Sequence, residues 1–168
     1  AAIELLAAAD PFPALLGDAQ AWQRSYGRID GKGRAMLLYD RAGGAADIRA
    51  VSLGAGPGEA AGIGAFAISR WADDPNLPAL GEVARRWPDA VPVRYRPGKR
   101  CTLFLPRGGG LFIKALVDDR GAQITADARS LWQAAGAGEL GFRVARPVGW
   151  LPGMHLIVQH RLAGSGVA

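Results

Sequence analysis

One lysine, Lys114, stands alone in an apolar run, Leu111-Phe112-Ile113-Lys114-Ala115-Leu116. An ammonium is costly to bury without a partner. A lone cation in such a run suits the neutralisation of phosphate charge, which phosphoryl transfer requires. Its partner would be an acid on the helical segment that follows, and Asp127 is the only one there. Leu131 lies one turn further on, which sets Asp127 at the border of the buried face and turned towards the strands. The plainer alternative is a lysine on the wet face of a sheet and an aspartate favoured near a helix start by the dipole. The densest group of cations, Arg94 to Arg100, surrounds a single glycine in Tyr95-Arg96-Pro97-Gly98-Lys99-Arg100. A turn of that composition holds phosphate by charge as well as by backbone amides. Its alternative is an exposed basic hairpin.

Other reactive residues carry less. Cys101 is the single cysteine, so no disulfide forms within the chain, and its alternating apolar surroundings suit a small core residue. His155 follows a Pro-Gly-Met turn and is expected to be exposed, and His160 is expected to be a bystander to proton transfer. The glycine-rich stretch Gly54 to Gly64 lacks the GK[ST] ending of a P-loop.

These residues need elements to hold them. Ile3 to Ala9 reads as a short helix stopped by Asp10-Pro11-Phe12-Pro13. Ala14 to Tyr26 reads as a further helical turn or two. Arg34 to Tyr39 and Ile48 to Leu53 read as a β-hairpin across Asp40-Arg41-Ala42-Gly43-Gly44. Ala65 to Trp71 is a strand or a helix, undecided by periodicity. Leu77 to Trp87 reads as a helix with Leu80, Val83, Ala84 and Trp87 on one face. From Val93 three strands with tight turns form a meander, ending in Leu111 to Val117. A helix at Ala122 to Ala135 follows, with Ile124, Ala128, Leu131, Trp132 and Ala135 on one face. Gly136, Gly138 and Gly141 end it. Val148 to Leu151 and Leu156 to Leu162 complete the order β-β-β-α-β-β.

The chain has 168 residues, 49% hydrophobic and 21% charged, enough for one domain or two small ones with a real core. No apolar run approaches the roughly 20 residues that span a bilayer. The opening residues carry no basic flank, which argues against a signal peptide. A cytoplasmic setting is expected. The net charge of +5 comes from scattered cations apart from the one cluster, so nucleic acid is an unlikely general partner.

The order of elements and Phe112-Ile113-Lys114, Ile124 to Ala135, Arg146-Pro147-Val148-Gly149-Trp150 and Leu156 to Gly164 resemble the N-lobe of the aminoglycoside phosphotransferase and choline kinase family, of protein-kinase-like fold. The resemblance runs from about Val91 to the end. It implies an α+β fold in which a kinase-like N-lobe, a five-stranded antiparallel sheet with one helix, occupies residues 91–168. An α/β cap of helices and a hairpin would precede it at residues 1–90. It implies that Lys114 binds phosphate and that Asp127 stands where the family has a glutamate, a shorter reach by one methylene. Arg96, Gly98, Lys99 and Arg100 take the place of the glycine-rich loop. His160 and Leu162 would offer backbone groups to adenine, with His160 in place of the family's usual acid and Ala163 in place of its proline.

The implied function is ATP-dependent phosphorylation of a small hydroxylated molecule, with ATP and Mg2+ as cofactors. The family's His-x-Asp with a downstream Asn, and its later magnesium-binding Asp, have no match in the sequence. The chain is therefore expected to be part of a longer protein whose catalytic C-lobe is absent. Its hinge surface, Val158 to Leu162, is expected to be apolar and to favour a homo-oligomer. A non-catalytic interaction module is the alternative function, and a nucleic-acid binder using Arg94 to Arg100 a third. Incubated alone with ATP and an acceptor, the chain is expected to transfer no phosphate. Measurable ATP-dependent phosphorylation of any added acceptor would contradict that expectation.

Overall fold

The structure, a computed structural model, describes residues 12–17, 20–29, 35–41, 47–53 and 66–162. It is an α+β protein with two antiparallel sheets. The chain divides into two compact units, Ala1–Trp71 and Ala72–Ala168. The expected helix Ile3 to Ala9 and the stretch Gly54 to Gly64 lie outside the described residues. Among those described, no helix is long and apolar enough to cross a membrane.

The first unit holds a short helix α1 (Phe12–Leu15) and a sheet ordered β1 (Trp22–Ile29), β2 (Ala35–Arg41), β3 (Ile48–Leu53) and β4 (Phe66–Arg70). The expected hairpin is β2 with β3, but a strand flanks it on each side. Ala14 to Tyr26 is not the helical stretch expected. The helix ends where Gly17 takes φ +105°, and the chain is extended from Trp22. β1 buries Trp22 alone, so the backbone ladder to β2 holds it rather than an apolar alternation that periodicity would reveal. Ala65 to Trp71 resolves as β4 followed by a 3-10 turn, Trp71–Asp73. Among the described residues Trp22, Leu37, Tyr39 and Val51 form one core cluster, and Leu16, Ala21 and Leu53 pack against it.

The second unit contains α2 (Ala79–Arg86), β5 (Val91–Arg96), β6 (Arg100–Leu105), β7 (Leu111–Leu116), α3 (Gly121–Gly136), β8 (Pro147–Leu151) and β9 (Leu156–His160). Its five strands run in the order β5-β6-β7-β9-β8, every neighbouring pair antiparallel. Residues 72–90 belong to this unit, so the boundary expected at residue 90 falls inside it.

Side chains alternate across a strand, and cross-strand partners share a face. One face of the sheet carries Tyr95, Cys101, Leu103, Leu105, Ile113, Ala115 and Leu156, all buried. Leu77, Leu80 and Val83 from the preceding segment are buried as well and complete this unit's core. The other face carries Lys114. Its middle row reads Arg94, Thr102, Lys114, Ile157 and Trp150 from β5 to β8.

Helix α3 packs on β8 and β9. The seam is its Gly121, Thr125 and Ala128 line rather than the full apolar face that the sequence suggests. Gly121 and Thr125 are buried, whereas Ile124, Leu131 and Trp132 are 38%, 48% and 39% exposed. A Cβ on Gly121 would lie 2.1 Å from the Trp150 ring, so only glycine permits this approach. Gly138, at φ +80°, turns the chain out of the helix.

The Thr125 hydroxyl is buried with no hydrogen-bond partner among the described residues, which costs about 1–3 kcal/mol. Two substitutions test the seam in urea unfolding. Gly121→Ala is expected to destabilise by about 1–3 kcal/mol through overpacking against Trp150. Thr125→Val is expected to leave stability unchanged or raise it by about 1 kcal/mol, because it removes an unanswered polar group. A neutral Gly121→Ala would show that helix and sheet do not meet there.

Candidate functional site

Lys114 lies on β7 between Thr102 of β6 and Ile157 of β9. With Thr102, Phe112, Ile157 and Gln159 it lines an open cavity of 220 Å³ on the sheet face that α3 also covers. Small-molecule sites enclose roughly 300–1,000 Å³, so this cavity by itself is smaller than such a site. Phe112 and Phe104 stand side by side on the same face with ring centroids 5.2 Å apart.

The cations divide into two classes. Arg85 pairs with Glu82, Arg107 with Asp89 at 2.7 Å, and Arg120 with Asp118 at 2.8 Å. Arg94, Arg96, Lys99, Arg100 and Lys114 form no ion pair with any described residue. Arg94, Arg96 and Arg100 share the Lys114 face by register, and Lys99 sits in the adjoining turn. Like charges gathered without counterions make a positive field that draws an anion.

The turn itself is fixed from the opposite side of the sheet. Asp74, 4% exposed, accepts hydrogen bonds from the Tyr95 hydroxyl at 2.9 Å, the Gly98 amide at 2.7 Å and the Asn76 amide at 2.9 Å. The Lys99 amide donates to the Arg96 carbonyl at 3.0 Å. The amides of Gly98 and Lys99 are therefore spent within the protein. The sequence suggested phosphate binding by amides as well as charge, and the geometry engages these two amides elsewhere, leaving the charges of Arg96, Lys99 and Arg100 unpaired among the described residues. Nothing in the sequence separated Asp74 from its neighbour Asp73, since both sit in what reads as a helix breaker.

Asp127 is not brought to Lys114. It is exposed, and its carboxylate accepts a hydrogen bond from Gln123 at 2.7 Å. At 100° per residue it stands about 200° around the helix from the buried Thr125. The orientation expected from the apolar pattern is corrected by the Gly121–Trp150 contact, which sets which side of α3 meets the sheet.

At the end of β9 the His160 amide donates to the Arg146 carbonyl at 2.9 Å and the Arg161 amide to the Gly110 carbonyl at 3.0 Å. Of the two residues expected to face adenine, His160 thus has its amide engaged. Leu162, 43% exposed, makes no backbone hydrogen bond to a described residue. His155 is half-buried rather than exposed, in the left-handed region at φ 51°. Its Nε2 lies 3.2 Å from Asp119 and its ring 5.9 Å from that of Trp150. Among the described residues no group of three His, Cys, Asp or Glu is gathered that could hold a metal ion.

Cys101 is fully buried beside Tyr95 on the core face. Burial, with a smaller contribution from the Asp74 charge, pushes its thiol up to about 12. Burial, with the hydrogen bond to Asp74, likewise holds the Tyr95 hydroxyl far above the usual phenol range. Both groups stay protonated and neutral around neutrality, so Cys101 is no nucleophile and Tyr95 remains a donor. No family model, curated protein or solved structure matches the chain.

These shifts set an alkaline limit. Both groups hold their protons more tightly folded than unfolded, so the unfolded chain loses protons first as the pH rises. The stability they confer is complete below about pH 9 and declines above it, with Tyr95 adding to the decline above about pH 10. Urea midpoints measured from pH 7 to 11 are expected to fall over that range, and to fall less steeply in Tyr95→Phe. Equal alkaline slopes in wild type and variant would contradict this.

Proposed function

We propose that the second unit is the nucleotide-binding part of an ATP-dependent phosphotransferase acting on a small hydroxylated molecule. The sheet face that carries Lys114 takes the phosphates. One observation carries the reading: four cations without a described counterion, Arg94, Arg96, Arg100 and Lys114, share one sheet face beside an open cavity, with a fifth, Lys99, in the adjoining turn. The order β-β-β-α-β-β, with a lone lysine on the third strand, supports it through the resemblance to the aminoglycoside phosphotransferase and choline kinase family.

In this reading Lys114 neutralises phosphate charge as a compact point charge, and Arg96, Lys99 and Arg100 add a second cationic contact from the turn. Phe112 and Ile157 give the cavity an apolar wall suited to a flat ring. The described residues do not fit Mg2+, since no carboxylates are gathered for it, and no step is assigned to the metal. The base that activates the acceptor hydroxyl has no candidate on this face either.

A second reading rests on the Phe104–Phe112 pair. Aromatic rings beside unpaired arginines on an open sheet also suit single-stranded nucleic acid, whose bases stack on such platforms.

Calorimetric titration with ATP, and separately with a short single-stranded oligonucleotide, discriminates the two. ATP is expected to bind the wild-type chain, and Lys114→Ala to weaken it by about tenfold, or about 1.4 kcal/mol. The same change is expected to alter folding stability by no more than about 0–1 kcal/mol, as for other exposed charges. Lys114→Arg is not expected to restore binding, because a planar fork does not replace a point charge. Tight, steeply salt-dependent oligonucleotide binding without ATP binding would overturn the kinase reading in favour of the second.

A further inference from the structure

We propose that Asp74 is a positioning residue for polyphosphate binding, acting through the turn Arg96 to Arg100 and never touching the ligand. The inference deepens the nucleotide reading above and rests on it.

Asp74 lies in the segment before α2, far from the turn in sequence. Its partner Tyr95 lies on the core face of the sheet, opposite Lys114. A carboxylate there is costly to bury unless donors answer it. Two of its three donors, the Tyr95 hydroxyl and the Gly98 amide, belong to the strand and turn that carry the cations. The Gly98 contact, at 2.7 Å, is a charge-assisted bond at the short end of its range.

Gly98 is held at φ +66°, a conformation that side-chain-bearing residues rarely adopt. A Cβ there would also meet the side-chain Nδ2 of Asn76 at 3.1 Å. The turn is thereby tied from beneath at its tip and at its first strand. The opposite ends of the same short segment, Arg96, Lys99 and Arg100, are left with their charges unpaired among the described residues. A mobile glycine-rich loop folds its amides around a phosphate. Here the Gly98 amide is bound to Asp74 and the Lys99 amide to the Arg96 carbonyl, and the ligand meets side-chain charges on a fixed mount. Holding in place the backbone that bears three cations spares the ligand the cost of ordering that turn on binding.

The test is calorimetric titration with ATP, and with inorganic tripolyphosphate, at low and at high salt, on wild type, Lys114→Ala, Asp74→Asn and Tyr95→Phe. Asp74→Asn removes the negative charge and replaces one acceptor oxygen by an NH2 that can only donate, so the Tyr95, Gly98 and Asn76 donors can no longer all be answered and the hold on the turn loosens. It is expected to weaken both ligands about tenfold, the scale set by ordering a few side chains on binding. It is also expected to flatten the salt dependence per folded molecule, because the turn's charges no longer converge. A role in stability alone would lower the folded fraction and leave that salt dependence unchanged.

If wild type binds neither ligand, the nucleotide reading itself fails. If wild type binds and Lys114→Ala weakens binding, but Asp74→Asn keeps wild-type affinity and salt dependence, only the role of Asp74 falls. Should Asp74→Asn fail to fold, Tyr95→Phe decides. It removes one donor and leaves the carboxylate. A weaker, flatter binding curve supports the proposal, and an unchanged one overturns it.

Discussion

A carboxylate beneath a sheet needs donors, and the donors that Asp74 recruits tie distant parts of the second unit together. Its bond to the Tyr95 hydroxyl reaches β5, and its bond to Gly98 reaches the turn into β6. The residues before α2 therefore belong to the sheet's core, which is why the unit begins at Ala72. The same carboxylate adds to what burial does to the protonation of its neighbours. Burial first, and then the hydrogen bond to Asp74, keeps the proton on Tyr95, and Cys101 beside it is held neutral by burial and by the nearby negative charge. One buried charge thus shapes the core face, and through the turn it shapes the cations that lie towards the other face.

The opposite face is organised by a vacancy of another kind, the missing side chain of Gly121. Because the Trp150 ring sits against that glycine, α3 meets the sheet along Gly121, Thr125 and Ala128. The cost of this choice is visible in the exposed Ile124, Leu131 and Trp132 and in the unanswered Thr125 hydroxyl. The consequence for the site is that Lys114 faces its cavity without an acid from the helix.

The sequence made the strands of the second unit legible because Cys101 to Leu105 and Leu111 to Leu116 alternate cleanly between buried and open positions. Lys114 was legible as the one charge in an apolar run. The rotation of α3 was not, since the residues that make the seam are a glycine and a threonine, which carry no hydrophobic signal. β1 was hidden because backbone pairing sustains it with only Trp22 buried. Asp74 was hidden because its role is written in contacts 21 and 24 residues away, and only folding brings those donors together.

The central claim is that a nucleotide's phosphates rest on the Lys114 face of the sheet. Mapping amide and side-chain NMR shifts during an ATP titration tests it most directly. The account predicts saturable shifts at Thr102, Phe112, Lys114 and Gln159 and at the side chains of Arg96 and Arg100, while the Gly98 amide stays protected from exchange by Asp74. Shifts confined to residues outside that face, or none at saturating ATP, would contradict it.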